Sequence, residues 1–416
     1  MGSFYYRTVI SALLALVLLF CLSACGSQNS GEAASSEAAS AKNPVGSFTE
    51  PASGALSKNS LPDDSGIQSL LAYSNTLALD YAERFRVFLY QGGYSLICLC
   101  DGNRFLVLPE GKTAPSGLPE DITVLKQPVE NIYLAGSACM DMFIKMGALD
   151  SISLSGTDIN KWYLPEARKA MADGRILYAG KYSIPDYELI LSRGCSLAIE
   201  NTMILHTPEV REQLVKTGIP VLIDHSSYEP HPLGRTEWVK LYGILTGHEK
   251  EAMEAFEQQK AAFKTAASGE KSGRSMAFFS IRPNGSVTVR KSSDYVPSMI
   301  QLAGGTYLPD SLDDGSITST TTLQMEEFCR QAGNADCLIY NGTIEGEIRS
   351  INELLNKAPV LKIFPAIKNG HVWYTEQNLY QSSMESGLIL SDFHKILMNP
   401  DSSGDDLQYL KKMKKD

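Results

Sequence analysis

The sequence lacks the motifs by which several common enzyme classes are recognised. It contains no G-x-S-x-G nucleophile elbow, no G-x-x-x-x-G-K-[ST] phosphate loop and no H-E-x-x-H zinc motif. Histidine is scarce, with six residues among 416, and no C-x-x-C pair occurs. These absences argue against a nucleotide-dependent enzyme, a zinc protease and a thiolate metal site, and we expect a protein that is not an enzyme.

Positive charge is also in deficit. Lysine and arginine number 37 against 47 aspartates and glutamates, which gives a net charge of −10 and a pI of about 5.3. The longest basic stretch is Lys411-Lys412-Met413-Lys414-Lys415. Nucleic-acid binding depends on clustered cations that displace counterions, so nucleic acid is excluded as a partner. The length predicts two domains.

The N-terminus has the features of an export signal. Residues 1–24 carry a single charge, Arg7, followed by an apolar run over 9–21 and the tetrapeptide Leu22-Ser23-Ala24-Cys25. The apolar run is shorter than the roughly 20 residues that cross a bilayer. The tetrapeptide resembles the lipobox of bacterial lipoproteins, which implies cleavage before Cys25 and a diacylglycerol on its sulfur. We therefore predict an anchored protein on the outer face of the cytoplasmic membrane.

A tether is predicted to follow the anchor. Residues 25–65 are dominated by Ser, Ala, Gly, Glu, Asn and Pro, and Phe48 is their only aromatic residue. A stretch of this composition buries too little apolar surface to offset its ordering entropy. It is typical of a flexible linker.

Six cysteines remain once Cys21 and Cys25 are set aside: Cys98, Cys100, Cys139, Cys195, Cys329 and Cys337. Cys98 and Cys100 lie two apart on an apparent strand and are poorly placed to bond each other. All six sit among apolar residues, where a free cysteine behaves as a small hydrophobe. We favour free thiols, with disulfides left open because the protein is exported.

The rest of the chain shows two patterns of predicted secondary structure, first β-hairpins and then alternating strands and helices. Short β-rich runs at residues 85–90, 94–99 and 105–108 are separated by Gly92-Gly93 and Asp101-Gly102, which are hairpin signals. Beyond Pro128, apolar strands alternate with helical segments, as in a parallel α/β sheet. The spacing of apolar residues over 236–267 predicts helices divided at Gly247, one ending near Thr246 and one starting near His248.

The fold class that follows is α/β, with two Rossmann-like lobes joined by one long interdomain helix and a hairpin region before the first lobe. We assign the first lobe to residues 66–232, the helical bridge to 233–265 and the second lobe to 266–416. A single stiff bridge predicts only a small closure between the lobes.

Several strings together point to a family. A lipoprotein leader, two α/β lobes, the bridge start Pro232-Leu233-Gly234-Arg235-Thr236-Glu237-Trp238 and the stretch Met299-Ile300-Gln301-Leu302-Ala303-Gly304-Gly305 resemble class III substrate-binding proteins of ABC importers. The resemblance covers residues 129–400. It implies capture of a ferric siderophore, haem or cobalamin-type ligand and delivery to a permease, with no cofactor. The hairpin region lies outside it.

The resemblance also implies two docking residues. In the family each lobe offers a surface glutamate to an arginine pocket on the permease. The matching strings are Pro185-Asp186-Tyr187-Glu188-Leu189-Ile190 and Leu323-Gln324-Met325-Glu326-Glu327-Phe328. They point to Glu188 and Glu326, with Glu327 left open. A carboxylate at a helix start is held by the local dipole and can accept a bidentate arginine contact.

A ligand held between two lobes touches the loops at the carboxyl ends of the strands. Arginine and aromatic side chains there suit an anionic, conjugated ligand. Tyr228, Arg235 and Arg282 are the best-placed candidates. The full set of polar or aromatic candidates after strands is Ser137, Trp162, Tyr182, Asn201, Tyr228, Arg235, Arg282, Tyr295 and Trp373.

Two other functions stay open. A zinc- or manganese-binding protein of an ABC importer would bring His225 and His231 together with His206 or His371. An exported lipoprotein enzyme would need a chemistry that none of the motifs above supplies. We favour a receptor that binds no metal directly.

Overall fold

The computed structural model describes residues 66–313 and 318–415. The predicted signal peptide (residues 1–24), the tether over 25–65 and the lipidation of Cys25 lie outside the described residues and stay predictions. Within the described part of the chain, no helix is long and apolar enough to cross a membrane.

The strands are short and spread over the whole described chain. They are β1 (Tyr73–Thr76), β2 (Phe85–Tyr90), β3 (Ser95–Leu99), β4 (Arg104–Leu108), β5 (Ile122–Lys126), β6 (Ile132–Leu134), β7 (Ile152–Ser155), β8 (Leu177–Tyr178), β9 (Gly180–Lys181), β10 (Ile184–Pro185), β11 (Leu197–Asn201), β12 (Val221–Asp224), β13 (Ser275–Ile281), β14 (Val287–Arg290), β15 (Thr306–Leu308), β16 (Thr320–Leu323), β17 (Cys337–Tyr340), β18 (Val372–Thr375) and β19 (Leu410–Lys412).

The helices follow most of the strands in sequence. They are α1 (Ile67–Leu70), α2 (Met140–Lys145), α3 (Pro165–Ala172), α4 (Tyr187–Ser192), α5 (Pro208–Lys216), α6 (Pro232–Glu237), α7 (Val239–Thr246), α8 (Glu249–Ala267), α9 (Tyr295–Leu302), α10 (Met325–Ala332), α11 (Gly342–Glu345), α12 (Ile351–Lys357), α13 (Pro365–Asn369) and α14 (Ser386–Met398).

An N-terminal sheet comes first. Its five strands lie in the order β1-β2-β3-β4-β5, antiparallel except for the parallel pair β4 and β5. The predicted hairpin strands are confirmed to within one residue. The strands β1 and β5 were missed, because no tight-turn signal joins either of them to the hairpins. Alternate residues of β2 to β4 face the bridge, so the sheet shares its core with Trp238 and Leu241.

The first lobe is a parallel α/β layer. Its strand order β12-β11-β6-β7-β8 is parallel throughout. The strands Ile132–Leu134 and Val221–Asp224 are buried at every position, as expected for a sheet covered on both faces.

The second lobe has its own mixed sheet of seven strands. The order is β16-β14-β13-β17-β18-β19, and β15 pairs with β13. The strands β15, β13, β17 and β18 are parallel, whereas β14, β16 and β19 are antiparallel additions. The α/β fold with two lobes is thus confirmed.

Helices α6 to α8 bridge the lobes. Gly247 ends α7 with a left-handed φ of 74°, which a side chain would strain, so the division predicted at this glycine is confirmed. The 19-residue helix α8 packs against α7 and against α14 of the second lobe. A Cβ on Gly387 of α14 would lie 2.9 Å from Ala262, which shows how closely these two helices approach.

Two buried carboxylates fasten the N-terminal sheet to the bridge. Glu237 accepts hydrogen bonds from the backbone N–H groups of Asp80, Tyr81 and Ala82, at 2.8 to 2.9 Å. Glu229 accepts from the N–H groups of Glu83 and Arg84, at 2.9 Å each. The loop that leads into β2 is therefore held by Glu237 of the bridge and by Glu229, which lies just before the bridge.

Each carboxylate has a further partner at the bridge. Glu237 pairs at 2.7 Å with Lys240, which is also buried and donates to the carbonyl oxygen of Ala78 at 3.1 Å. The indole N–H of Trp238 donates to Glu229 at 2.9 Å. Glu237 is 0% and Glu229 1% exposed, so these bonds replace water almost completely.

Replacement of Glu237 by Ala should destabilise the protein by about 3 to 5 kcal/mol, because three N–H groups and the Lys240 ammonium lose their buried partner. Urea unfolding measures the loss. Replacement of the exposed Glu254 in α8, also by Ala, should change the free energy of unfolding by less than about 0.5 kcal/mol. Equal stability of the two variants would contradict the role given to Glu237.

Candidate functional site

A cavity of about 350 Å³ lies between the two lobes. The short 3₁₀ helix Ser226–Tyr228 follows β12 directly and brings Tyr228 to this cavity. On the opposite side, Ser293 and Asp294 precede α9 of the second lobe. The described lining residues are Arg84, Ser227, Tyr228, Glu229, Pro230, Ser293, Asp294, Asp313, Thr318 and Ser319.

Arg235 of the bridge helix α6 stacks on Tyr295 of the second lobe. The guanidinium carbon of Arg235 is 3.9 Å from the centroid of the Tyr295 ring. Arg235 is 8% exposed, and its Nε has no hydrogen-bond partner. Among the residues that the structure describes, no carboxylate forms an ion pair with it. A buried guanidinium in this state is suited to an anionic group supplied from outside.

The pair borders a narrow void. Arg235, Tyr295, Leu379 and Ser382 line a space of about 20 Å³. Roughly 10 to 15 Å³ on this measure accommodates one water. The void therefore admits one small group, such as a carboxylate oxygen, beside the guanidinium.

A second buried arginine lies near the first. Arg290 donates to the Tyr380 hydroxyl, and its guanidinium carbon is 5.0 Å from the Tyr380 ring centroid. Its Nη1 is 3.5 Å from the Asp294 carboxylate, and the Asn341 amide donates to the same hydroxyl at 3.0 Å. Burial alone would lower the pKa of Arg290, but Tyr380 and Asp294 raise it above its ordinary value. Arg290 thus stays charged and already has partners.

Sequence reasoning missed Arg290, Asn341 and Tyr380. A signal existed for two of them, because Arg290 is the last residue of β14 and Asn341 directly follows β17, so both stand at strand ends, where ligand residues were sought. Tyr380 lies in the loop between β18 and α14, and nothing in its sequence context indicates that it meets Arg290.

The predicted ligand residues are dispersed. Tyr228 lines the interlobe cavity, and Arg235 and Tyr295 stack. Arg282 is exposed at the turn between β13 and β14, where its Nη1 is 3.4 Å from the Thr322 hydroxyl. Tyr182 is half-buried in the turn between β9 and β10 and packs on the core of the first lobe.

Two of the predicted ligand contacts are wrong, because the side chains are buried. Trp162 and Trp373 are both 0% exposed and belong to the hydrophobic cores of the first and second lobe. The indole of Trp162 donates to the Ser155 hydroxyl at 3.1 Å. Neither ring can reach a ligand in the cleft, because each is enclosed by its own lobe.

The two polar candidates that follow first-lobe strands have local roles. Asn201 caps the 3₁₀ helix Thr202–His206 by accepting from the N–H of Met203 at 2.8 Å. Ser137 begins the 3₁₀ helix Ser137–Cys139. We leave both out of the proposed site.

Residues 381–385 of the second lobe lie against the first lobe. The N–H of Met384 donates to Asp141 at 2.8 Å, and Ser383 donates to the carbonyl oxygen of Ala138 at 2.7 Å. Lys145 pairs with Glu385 at 2.5 Å. Burial raises the pKa of Asp141 to about 6. These contacts fix the spacing of the lobes in addition to the helical bridge.

The histidines considered as metal ligands have other partners. His225 Nε2 is 3.2 Å from Asp101, and His371 Nε2 is 2.9 Å from Asp401. His231 stacks on Tyr81, and its Nδ1 accepts from the N–H of Leu233 at 3.1 Å. In the described ranges, no group of three or more His, Cys, Asp or Glu is placed to hold a metal ion.

The six cysteines considered above are all described. The structure places no disulfide among them. Cys139 is fully buried, and its thiol donates to Asp224 at 3.1 Å.

The two predicted docking glutamates lie at exposed helix starts. Glu188 is in the first turn of α4, which Asp186 caps by accepting from the N–H of Leu189 at 2.9 Å. Glu326 is exposed in the first turn of α10. Its neighbour Glu327 bonds to Arg330 and Gln331, which hold its pKa down at about 2. Glu326 is therefore the carboxylate that stays available to a partner.

The fold is that of periplasmic substrate-binding proteins. A periplasmic haem-binding protein from Pseudomonas aeruginosa superposes with a TM-score of 0.53 at 14% identity, covering 69% of this chain and 98% of that one. The haem-binding protein HutB of Vibrio cholerae superposes with a TM-score of 0.50 at 20% identity, covering 63% and 98%. No protein-family model matches the sequence.

Curated relatives share more of the chain. An uncharacterized lipoprotein of Methanocaldococcus jannaschii is 21% identical over 370 residues, covering 82% of this chain and 85% of its own length. A second one is 23% identical over 349 residues, covering 80% and 86%. Residues 129–416 make up less than 82% of the chain, so the first alignment extends into the part before Val129.

The ion pair of His225 and Asp101 predicts a pH dependence. Burial lowers the pKa of His225, but Asp101 and then Cys100 raise it to about 10 overall. Burial raises the pKa of Asp101, and His225 and Asn103 bring it below its usual value. The histidine's contribution to stability is complete below its unfolded pKa near 6.5 and is lost as the pH rises toward 10; the aspartate's is lost in acid.

Replacement of Asp101 by Asn should lower the pKa of His225, because the imidazolium loses its carboxylate partner while burial still disfavours the charged form. Titration of the imidazole by NMR measures the shift, and the exposed Asp121→Asn variant is the control. A pKa of His225 that is the same in Asp101→Asn as in the wild type would contradict the pairing.

Proposed function

We propose that the protein is an extracytoplasmic, lipid-anchored substrate-binding protein that delivers an iron–siderophore, haem or cobalamin-type ligand to an ABC importer. The observation that carries the proposal is the interlobe cavity of about 350 Å³. Arg235 lines a separate void of about 20 Å³, where it stacks on Tyr295. The names of the relatives, which are lipoproteins, and of the structural neighbours, which bind haem, support the proposal.

The ligand on this proposal is anionic and partly conjugated. Arg235 supplies a charge without a carboxylate partner, Tyr295 stacks on that guanidinium, and Tyr228 presents a half-buried ring at the cavity. Arg290 and Tyr380 act behind them as positioning residues, since they bond to each other and to Asp294 and Asn341. These residues would bind a ligand through charge and ring stacking, and they do not include a paired nucleophile and base.

The proposed boundaries follow the sequence assignment. Residues 66–232 would form the first lobe with its added sheet, 233–265 the bridge and 266–416 the second lobe. The signal peptide proposed over 1–24, the tether over 25–65 and the lipid on Cys25 would hold the protein at the outer face of the cytoplasmic membrane. The lipoprotein names of the relatives support this location.

Arg235→Gln should weaken binding of the anionic ligand by roughly 10- to 100-fold, since a charge-assisted hydrogen bond is worth about 1.5 to 3 kcal/mol. The ligand is first found by thermal shift with ferric siderophores, haem and cobalamin, and its Kd is then measured by calorimetry. Arg282→Gln is the matched control, because Arg282 is exposed at a hairpin turn. Equal losses in both variants, or no shift with any of these ligands, would count against the proposed site.

Permease docking on this proposal uses Glu188 and Glu326. Both lie at exposed helix starts, one on each lobe, where each can accept an arginine from the permease. Two contacts on separate lobes also fix the orientation of the docked protein. Glu327 is a weaker candidate because Arg330 and Gln331 already engage its carboxylate.

The double variant Glu188→Lys with Glu326→Lys should abolish ligand uptake by cells and leave the Kd of the purified protein unchanged, because both side chains are exposed and away from the cavity. Glu209→Lys, in the first turn of α5, is the matched control and should transport normally. A weakened Kd in the double variant, or loss of uptake in the control, would reject the assignment.

A further inference from the structure

Two parts of the second lobe contain lysines and no acidic residue. No aspartate or glutamate occurs between Glu353 and Glu376, and the nine residues between Asp406 and Asp416 include four lysines. This distribution is unusual in a chain with 47 acidic residues against 37 lysines and arginines. It marks a local reversal of the overall negative charge.

The fold brings these two parts together. The first contains the 3₁₀ helix Pro359–Ile363 and α13, and the second follows the edge strand β19. Lys415 Nζ donates to the carbonyl oxygen of Lys368 at 3.1 Å, although the two residues are 47 positions apart. Lys414 lies beside the start of α12, because its carbonyl oxygen accepts from the N–H of Ile351 at 3.0 Å. The lysines therefore share one face of the second lobe.

Four lysines on this face are exposed and have no carboxylate partner among the described residues. We call Lys362, Lys368, Lys414 and Lys415 the lysine patch. Several exposed lysines elsewhere are paired, for example Lys169 with Asp173 at 2.8 Å and Lys250 with Glu254 at 3.8 Å. The patch therefore differs from an ordinary charged surface of this protein.

The acidic residues near the patch already have partners. Glu353 of α12 accepts from the backbone N–H groups of Arg349 and Ser350, at 2.7 and 3.3 Å. Glu347 accepts from the Arg349 side chain at 2.7 Å. Because these carboxylates are engaged, the ammonium groups of the patch are left for an external anion.

Apolar side chains are exposed beside these lysines. Val360 is 41% and Ile363 55% exposed, in the same 3₁₀ helix as Lys362. Lysines around exposed apolar groups are typical of surfaces at a membrane interface, where ammonium groups meet lipid phosphates and apolar groups enter the acyl boundary. A small soluble anion would leave Val360 and Ile363 in water. The combination favours an anionic bilayer.

We propose that the lysine patch, with Val360 and Ile363, is a docking surface for the anionic lipid headgroups of the membrane. The proposal rests on the proposed location of the protein at a membrane. The described lining of the interlobe cavity includes none of these residues, so the lipid contact does not use the ligand site.

The test adds the full chain to preformed vesicles, either of phosphatidylcholine alone or of an equimolar mixture with phosphatidylglycerol. Lysines are briefly acetylated, and peptide mass spectrometry gives the rate for each one. Each lysine of the patch should react about tenfold more slowly on the anionic vesicles, since lipid phosphates cover the ammonium group and keep it protonated. Lys169 and Lys250 should react equally on both. Salt at about 0.5 M should restore the rates, because it screens the attraction.

A triple variant uses Lys368 as the reporter. With Lys362→Gln, Lys414→Gln and Lys415→Gln combined, Lys368 should lose its protection on anionic vesicles. The matched control combines Lys169→Gln, Lys216→Gln and Lys250→Gln, which removes the same charge elsewhere and should leave Lys368 protected. A reactive Lys368 in the wild type on anionic vesicles, or a protected one in the patch variant, would overturn the proposal.

The lipid anchor is tested separately, by the mass of the peptide that contains Cys25 and by retention on neutral vesicles. A chain without the lipid whose patch is protected on anionic vesicles would refute the anchor and support the patch. A retained chain whose patch reacts equally on both vesicles would refute the patch and leave the anchor standing. Protection that requires membranes containing the importer would assign the patch to a protein partner and overturn the lipid assignment.

Discussion

The attachment of the N-terminal sheet to the helical bridge depends on two buried carboxylates. Glu229 and Glu237 accept the backbone N–H groups of residues 80–84, and their remaining lone pairs go to Trp238 and Lys240. An unpaired buried carboxylate would cost several kcal/mol, so the chain tolerates these two only because the loop before β2 supplies donors in a fixed array. The N-terminal sheet is therefore tied to the bridge by its own backbone. Since Glu229 also lines the cavity, the same bonds that attach the sheet set one wall of the cleft.

Local sequence patterns predicted helices, strands and turns, but they did not predict the tertiary contacts between them. The break at Gly247 and the hairpin glycines determine backbone geometry by themselves, so they could be read without tertiary information. The pairing of Arg290 with Tyr380 joins residues 90 positions apart, and no periodicity reports such a contact. For Trp162 and Trp373 the sequence predicted a ligand contact that the structure does not have. An aromatic residue after or within a strand can face the core or the cleft, and a single sequence does not distinguish the two.

The sequence itself distinguishes the two adjacent candidates for permease docking, Glu326 and Glu327. Arg330 and Gln331 stand three and four residues after Glu327, the spacing at which side chains meet on a helix, whereas Glu326 has Cys329 and Arg330 at those positions. Arg330 can satisfy only one of the two glutamates well, and the amide at position 331 favours Glu327. The spacing alone therefore indicates that Glu327 is occupied and Glu326 is available, which the observed bonds agree with.

The connections between the lobes restrict how a ligand can enter. Helix α8 approaches α14 so closely that only glycine fits at position 387, and this contact leaves little room for the bridge to tilt against the second lobe. Residues 381–385 add direct bonds to Asp141, Lys145 and Ala138 of the first lobe. A movement of the lobes relative to each other would have to break these bonds together. The buried Asp141 carboxylate would then lose the N–H donor of Met384. These contacts agree with the small closure predicted from the sequence, and on that prediction affinity comes from groups placed in advance, such as Arg235 and Tyr295, rather than from closure around the ligand.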